Sequence, residues 1–304
     1  MVLIIACHIL QYYNNELCQW LNVGVQIFFV ISGYLYGRKE ISDPIGFIAK
    51  NFKKILVPYY TFLFSAITLY AIFAPDFLNA ISIFKSLFCA GTIKGLGHLW
   101  FIGYILFCYL LSPYLYWVRI KTQYFSFKKT IGVYSVLLLS VQVIGCAFDS
   151  YFIPDRISCY IIGFFIPSLI EKTAGVCSYR IAWSFCTLAV VMNCFRIYVK
   201  YIAVGFMPDS MTNIIVRYSH MMLGVSLFIV LYRMMKHIQY NGLLKWSDKY
   251  SYSVYLVHLL FILSPFSLMA VTTTPLLNWM LVIVATMVSA LCLQTITYKL
   301  LYNE

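Results

Sequence analysis

The residues of this chain best suited to chemistry are its histidines. Four of the five lie in or beside apolar runs: His8 in VLIIACHIL, His98 at the head of HLWFIGY, His220 three residues after Arg217, and His258 in YSVYLVH. An ionisable side chain in a segment bound for lipid is costly, so each needs a reason to be there. Imidazole titrates near neutrality and can take the proton of a hydroxyl group, which makes His8 the first candidate for a general base. Tyr255 and Val254 share a helical face with His258 by i,i+3 and i,i+4 spacing, a pattern that also serves helix packing. Arg217 and His220 form an i,i+3 polar pair expected to face a cavity or a bundle interior. His237 follows Lys236 in a polar loop and reads as solvated.

Other residue types offer less. Ser32 and Gly33 in FFVISGYL lack the G-x-S-x-G frame of a nucleophile elbow. Small residues in a membrane helix allow close helix approach, and Gly33 is expected to let the first helix pack tightly and place His8. The ten cysteines form no C-x-x-C pair and no zinc-like spacing, so they read as small buried hydrophobes and no metal is expected. Lys50, Lys53 and Lys54, which precede Pro58, and Arg38, which follows an apolar segment, could attract a phosphate-bearing ligand. Ordinary anchoring beside lipid head groups explains the same charges. Arg156, at the mouth of a segment, could contact acceptor hydroxyls or an acidic sugar, or serve as an interfacial anchor.

The elements that must position these residues are membrane helices. The chain is 62% hydrophobic and 11% charged, with mean hydropathy +0.84, whereas a soluble domain carries about 25% charged residues. The fold class predicted is all-α, a polytopic helical bundle in a single domain over residues 1–304. Ten segments are expected, near 1–13, 23–37, 55–74, 99–117, 130–148, 156–171, 179–197, 212–235, 250–270 and 276–298. The net charge of +12 does not point to nucleic acid, because the cations cluster between apolar segments. Sixteen fall in the 38–54, 118–129, 171–180 and 233–249 loops and the C-terminal tail. Five (Lys85, Lys94, Arg156, Arg196 and Lys200) fall in the alternate set. The positive-inside rule therefore places the first set and both termini in the cytoplasm, with His8 toward the outer end of its segment. Residues 77–88 read as an amphipathic helix on the outer surface. No cleavable signal peptide is evident. The first segment covers only about 20 Å of a roughly 30 Å hydrocarbon core, so either it inserts partway or, the reading favoured here, the chain starts downstream of its natural start.

Six phrases in order carry a family resemblance: the early His8; GVQIFFVISGYLYGRK at 24–39; KNFKKILVPYY at 50–60; GHLWFIGYILFCYLLSPYL at 97–115; RISCYIIGFFI at 156–166; and SDKYSYSVYLVHLLF at 247–261. Together they resemble the integral-membrane acyltransferase family three, whose members O-acylate surface polysaccharides and related acceptors. The resemblance implies ten core helices and a reaction. An acyl group, most simply acetyl, would move from cytoplasmic acyl-CoA to a hydroxyl of a surface glycan or lipid-linked saccharide in the cell membrane. It makes His8 the catalytic residue, either as base or as transient acyl carrier. It places His98 and Trp100 beside the acceptor, marks His258 as a family position, and gives the donor to the basic stretch, with lysines where the family often has arginine. The family's usual arginine, in an R-x10-H pattern with the first histidine, would lie before Met1. A polysaccharide transporter or flippase, or an inactive truncated paralogue, are the alternative readings.

Overall fold

A computed structural model describes residues 1–147, 154–172, 179–203, 205, 207–235, 239 and 241–302. The expectation for His237, like the loops at 148–153 and 173–178, lies outside them. Twelve α-helices follow in order among the described residues. They are α1 (Val2–Tyr12), α2 (Cys18–Leu21), α3 (Gly24–Gly37), α4 (Pro44–Phe73), α5 (Ala80–Leu87) and α6 (Trp100–Thr122), then α7 (Phe127–Ala147), α8 (Pro154–Lys172), α9 (Tyr179–Ile197), α10 (Asp209–Met235), α11 (Gly242–Val257) and α12 (Pro275–Tyr302). No strand occurs among these residues.

Local chemistry starts several of them. The Gly46 N–H donates to Asp43 Oδ1 over 3.1 Å, with Pro44 in the first turn of α4. Asn79 accepts from Ile81 and Ser82 at the head of α5, and Asn241 accepts from Leu244 at the head of α11.

Among the described residues seven helices are long and apolar enough to cross a membrane: Cys18–Gly37, Pro44–Phe73, Gly97–Thr122, Phe127–Gly145, Trp183–Ile202, Met211–Met235 and Pro275–Tyr302. The three other expected segments differ for identifiable reasons. α1 is only 11 residues long. α8 carries Asp155, Arg156, Glu171 and Lys172 at its ends, which leaves a short apolar middle. The expected 250–270 segment starts earlier, at Gly242, and stops at Val257, where a 3₁₀ turn over His258–Phe261 interrupts it.

The helix faces are arranged as lipid demands. On α12, Asn278, Val282, Thr286, Ala290, Leu293 and Thr297 are buried at steps of three and four residues, while Met280, Ile283, Val284 and Val288 face outward. The polar groups Asn278, Thr286 and Thr297 turn inward, and the outward residues are large and apolar, the reverse of a soluble helix.

The chain forms two compact units. The first comprises Met1–Asn22, Asp43–Leu110 and Tyr240–Glu304, and the second Val23–Ser42 and Leu111–Gln239. In the first, α12 packs on α4 and α11. Ser253 Oγ donates to Gln294 Oε1 over 2.9 Å, and the Tyr252 hydroxyl donates to the Ile55 carbonyl over 2.9 Å. Tyr59 and Tyr60 donate to the carbonyls of Ser86 and Leu87 at 2.6 and 2.8 Å, so α4 fastens the C-terminal end of α5. The outward face of α5 presents Ile81 and Phe84, and Phe88 just past its end is exposed as well.

The second unit is organised on α8, which packs against α3, α7 and α10. Its crossing with α3 is so close that a Cβ at Gly33 would lie 2.0 Å from the Tyr160 carbonyl oxygen. One at Gly37 would lie 2.1 Å from that of Phe164, and one at Gly163 2.2 Å from that of Val30. GYLYG is thus a small-xxx-small contact stripe. The helix that Gly33 admits is α8, a correction to the expectation that it would seat the first helix. Ser32 is half-buried beside it.

Candidate functional site

A helix end leaves its last carbonyls without partners inside the helix. At the end of α11 two histidines collect them. His258 Nδ1 lies 2.7 Å from the Tyr255 carbonyl and 3.2 Å from that of Val254. His98 Nε2 lies 3.0 Å from the Leu256 carbonyl. Carbonyl oxygens only accept, so these nitrogens carry the hydrogens. In the neutral rings His258 Nε2 and His98 Nδ1 are then bare lone pairs, and both are buried without a hydrogen-bond partner. The Tyr255 hydroxyl donates back to the His98 carbonyl.

His8 completes the group. Its ring centroid is 5.3 Å from that of His258, which is 5.0 Å from that of His98. The Nδ1–H of His8 donates to Gln11 Oε1 over 3.0 Å, which leaves Nε2 as the bare nitrogen of the neutral ring. His258 and His98 are 0% and 4% exposed, whereas His8 is half-buried and is the accessible member. All three belong to the first unit. Among the described residues no group of three His, Cys, Asp or Glu side chains is placed to hold a metal ion.

Each histidine is held by its element. Ile5, Ile9 and Tyr12, one face of α1, pack on the apolar cluster of Leu259, Ile262, Met269 and Val282 that follows His258. Asn278 fixes that segment to α12 by donating to the Met269 and Thr272 carbonyls, each over 2.9 Å. His98 enters α6 through a 3₁₀ turn over Gly97–Leu99. Two residues earlier Gly95 has φ +84°, and a Cβ there would lie 2.9 Å from the Tyr70 hydroxyl and 3.0 Å from Ser264 Cα. That backbone conformation favours glycine, so Gly95 sets the approach to His98.

The remaining candidates are distributed. Trp100 packs on Tyr104 and Phe101, with centroids 5.5 and 6.2 Å apart. Lys50, Lys53 and Lys54 are exposed on α4, a correction to the expected loop, since the helix starts at Pro44. Arg156 lies in the first turn of α8, half-buried. Beside it Asp155 is buried and hydrogen bonded to Gln26.

The expected Arg217–His220 pair is replaced. Arg217 is exposed, and His220 Nε2 accepts from Arg196 of α9 over 2.8 Å. Arg196, assigned to a loop from sequence, is 2% exposed inside its helix. Arg38 lines a cavity of the second unit with Tyr34 and Tyr232. Sequence reasoning also missed Gln11, although its i,i+3 spacing from His8 is legible in HILQ.

Helices of membrane-crossing length with inward polar groups and outward apolar ones define an integral-membrane protein, and the buried imidazoles are its best-equipped chemical centre. The chain belongs to acyltransferase family 3, whose model, described as an acyltransferase domain, matches residues 1–297. It is therefore a membrane acyltransferase. No curated protein and no solved structure matches it.

Proposed function

We propose that the chain moves an acyl group, most simply acetyl, from acyl-CoA on the cytoplasmic face of the cell membrane to a hydroxyl of a surface glycan or lipid-linked saccharide. In this reading both termini are cytoplasmic. The observation that carries it is the trio of His8, His258 and His98, each with one nitrogen committed to a fixed acceptor and the other bare. A sugar hydroxyl is a poor nucleophile until its proton is accepted, and a ring whose tautomer is fixed is a base pointed in one direction.

His8, the accessible member, takes the hydroxyl proton at Nε2 as the acceptor oxygen bonds to the acyl carbon. The carbon–sulfur bond breaks, and the proton leaves on the coenzyme A thiol. Gln11 positions His8 through its Nδ1–H. His98, with Trp100 two residues on, stands at the acceptor side, and its buried Nδ1 and the buried Nε2 of His258 are the bare nitrogens behind the accessible His8 ring. Exposed Lys50, Lys53 and Lys54 attract the phosphates of the donor, and Arg156 serves acceptors that carry acid groups.

Deleting the gene and measuring both O-acyl content and total surface polymer tests the reading. Acylation should vanish while polymer remains. Loss of polymer with unchanged acylation per sugar would instead indicate transport.

A further inference from the structure

One cavity is lined wholly by residues of the second unit. Its volume is about 690 Å³, and Tyr34, Arg38, Arg119, Lys172, Glu171 and Tyr232 are among its lining residues. That size falls within the roughly 300–1,000 Å³ of small-molecule sites. Three cations face one carboxylate. Arg119 is fixed by donating to the Gly37 carbonyl and to that of Lys39 over 3.3 Å. Lys172 Nζ donates to the Gln123 and Phe125 carbonyls at 2.9 and 2.7 Å, which leaves one of its three N–H groups for a ligand. These two cations are held in place by backbone, so little ordering remains when a ligand binds. Arg38 is exposed, its guanidinium 5.8 Å from the centroid of the Tyr34 ring. Tyr34 and Tyr232 lie with centroids 5.2 Å apart, and Phe228 stacks on Tyr232 at 6.0 Å.

Fixed cations and two tyrosine rings lining one cavity suit a ligand with several phosphate oxygens and a flat ring. We infer that this cavity binds the phosphate-bearing nucleotide end of the acyl-CoA donor. The inference rests on the acyl-CoA reading above and deepens it. It moves the donor's anchor from the lysines of α4 to Arg38, Arg119 and Lys172. The exposed lysines of α4 then act at long range and the cavity at contact. The Glu171 carboxylate opposes a phosphate in this site, so removing its charge should tighten binding.

Binding of coenzyme A to the full chain in phosphatidylcholine nanodiscs, measured by calorimetry without turnover, tests this. Arg38→Gln should weaken coenzyme A about tenfold, the loss of one charge-assisted contact. Glu171→Gln should tighten it severalfold, and coenzyme A lacking its 3′-phosphate should bind more weakly than the complete molecule. Unchanged affinity in both Arg38→Gln and Glu171→Gln overturns the cavity assignment while leaving the acyl-CoA reading intact. If phosphatidylglycerol in the nanodisc abolishes coenzyme A binding and Arg38→Gln relieves that inhibition, the cavity is a lipid headgroup site and the assignment is likewise overturned. Wild-type protein that binds coenzyme A but transfers no acyl group defeats the proposed reaction, not the site.

Discussion

The His98 ring has two separable jobs, and two substitutions tell them apart. Its Nε2–H satisfies the Leu256 carbonyl at the end of α11, and its bare Nδ1 is buried without a partner in a ring 5.0 Å, centroid to centroid, from that of His258. Glutamine places an amide N–H near the position of Nε2 but has no counterpart to Nδ1, so His98→Gln keeps the first job and loses the second. Alanine loses both. An orphaned buried carbonyl costs about 1–3 kcal/mol, so His98→Ala should be less stable than His98→Gln by about that amount, with more from the emptied volume. Losing the bare nitrogen behind the His8 ring should lower kcat/KM by about 10- to 100-fold in both variants. Equilibrium unfolding of detergent-solubilised protein gives the stability difference, and labelled acyl transfer in membrane vesicles gives the rate. If His98→Gln transfers acyl groups at the wild-type rate, the bare Nδ1 has no part in the reaction. If the two variants are equally stable, the helix-end account of His98 is wrong.

Gly33→Ala should destabilise the second unit by about 1–3 kcal/mol, because its Cβ would lie 2.0 Å from the Tyr160 carbonyl oxygen and two backbones must part; a lowered unfolding midpoint checks this. Gly95→Ala should reduce acyl transfer more than stability, since it strains the backbone two residues before the 3₁₀ turn that carries His98; a rate and an unfolding curve on the same preparation separate the two effects. The buried Arg196–His220 pair should respond asymmetrically. His220→Ala leaves a buried guanidinium without its acceptor and should cost about 3–5 kcal/mol, whereas Arg196→Met should cost far less or nothing; equal losses in unfolding experiments would refute the pairing.

The membrane class was legible in composition alone, because 11% charge over a chain of recurrent apolar runs admits no soluble core. Helix ends were less so. α4 begins at Pro44 rather than near 55, and the Asp43–Pro44 cap that announces it was readable, but the lysines that follow looked like a loop. The break at His258 was not readable, since the apolar pattern runs on beyond it. What ends α11 there is tertiary: His98, 158 residues away from Leu256, takes one of its final carbonyls. The same distance explains why the histidines could be named singly and not as a group. Arg196 escaped because a cation near a segment end reads as a loop residue until a buried partner on another helix is seen.

The most direct test of the account is acyl transfer from labelled acyl-CoA by His8→Asn. Asparagine offers an amide donor near the position of Nδ1 to keep the Gln11 contact, yet has no basic nitrogen in place of Nε2. With helical content and unfolding midpoint unchanged, transfer should fall about 10²- to 10⁴-fold, the contribution of a positioned base. A variant that transfers acyl groups within threefold of wild type would contradict the central claim that the His8 imidazole carries the reaction.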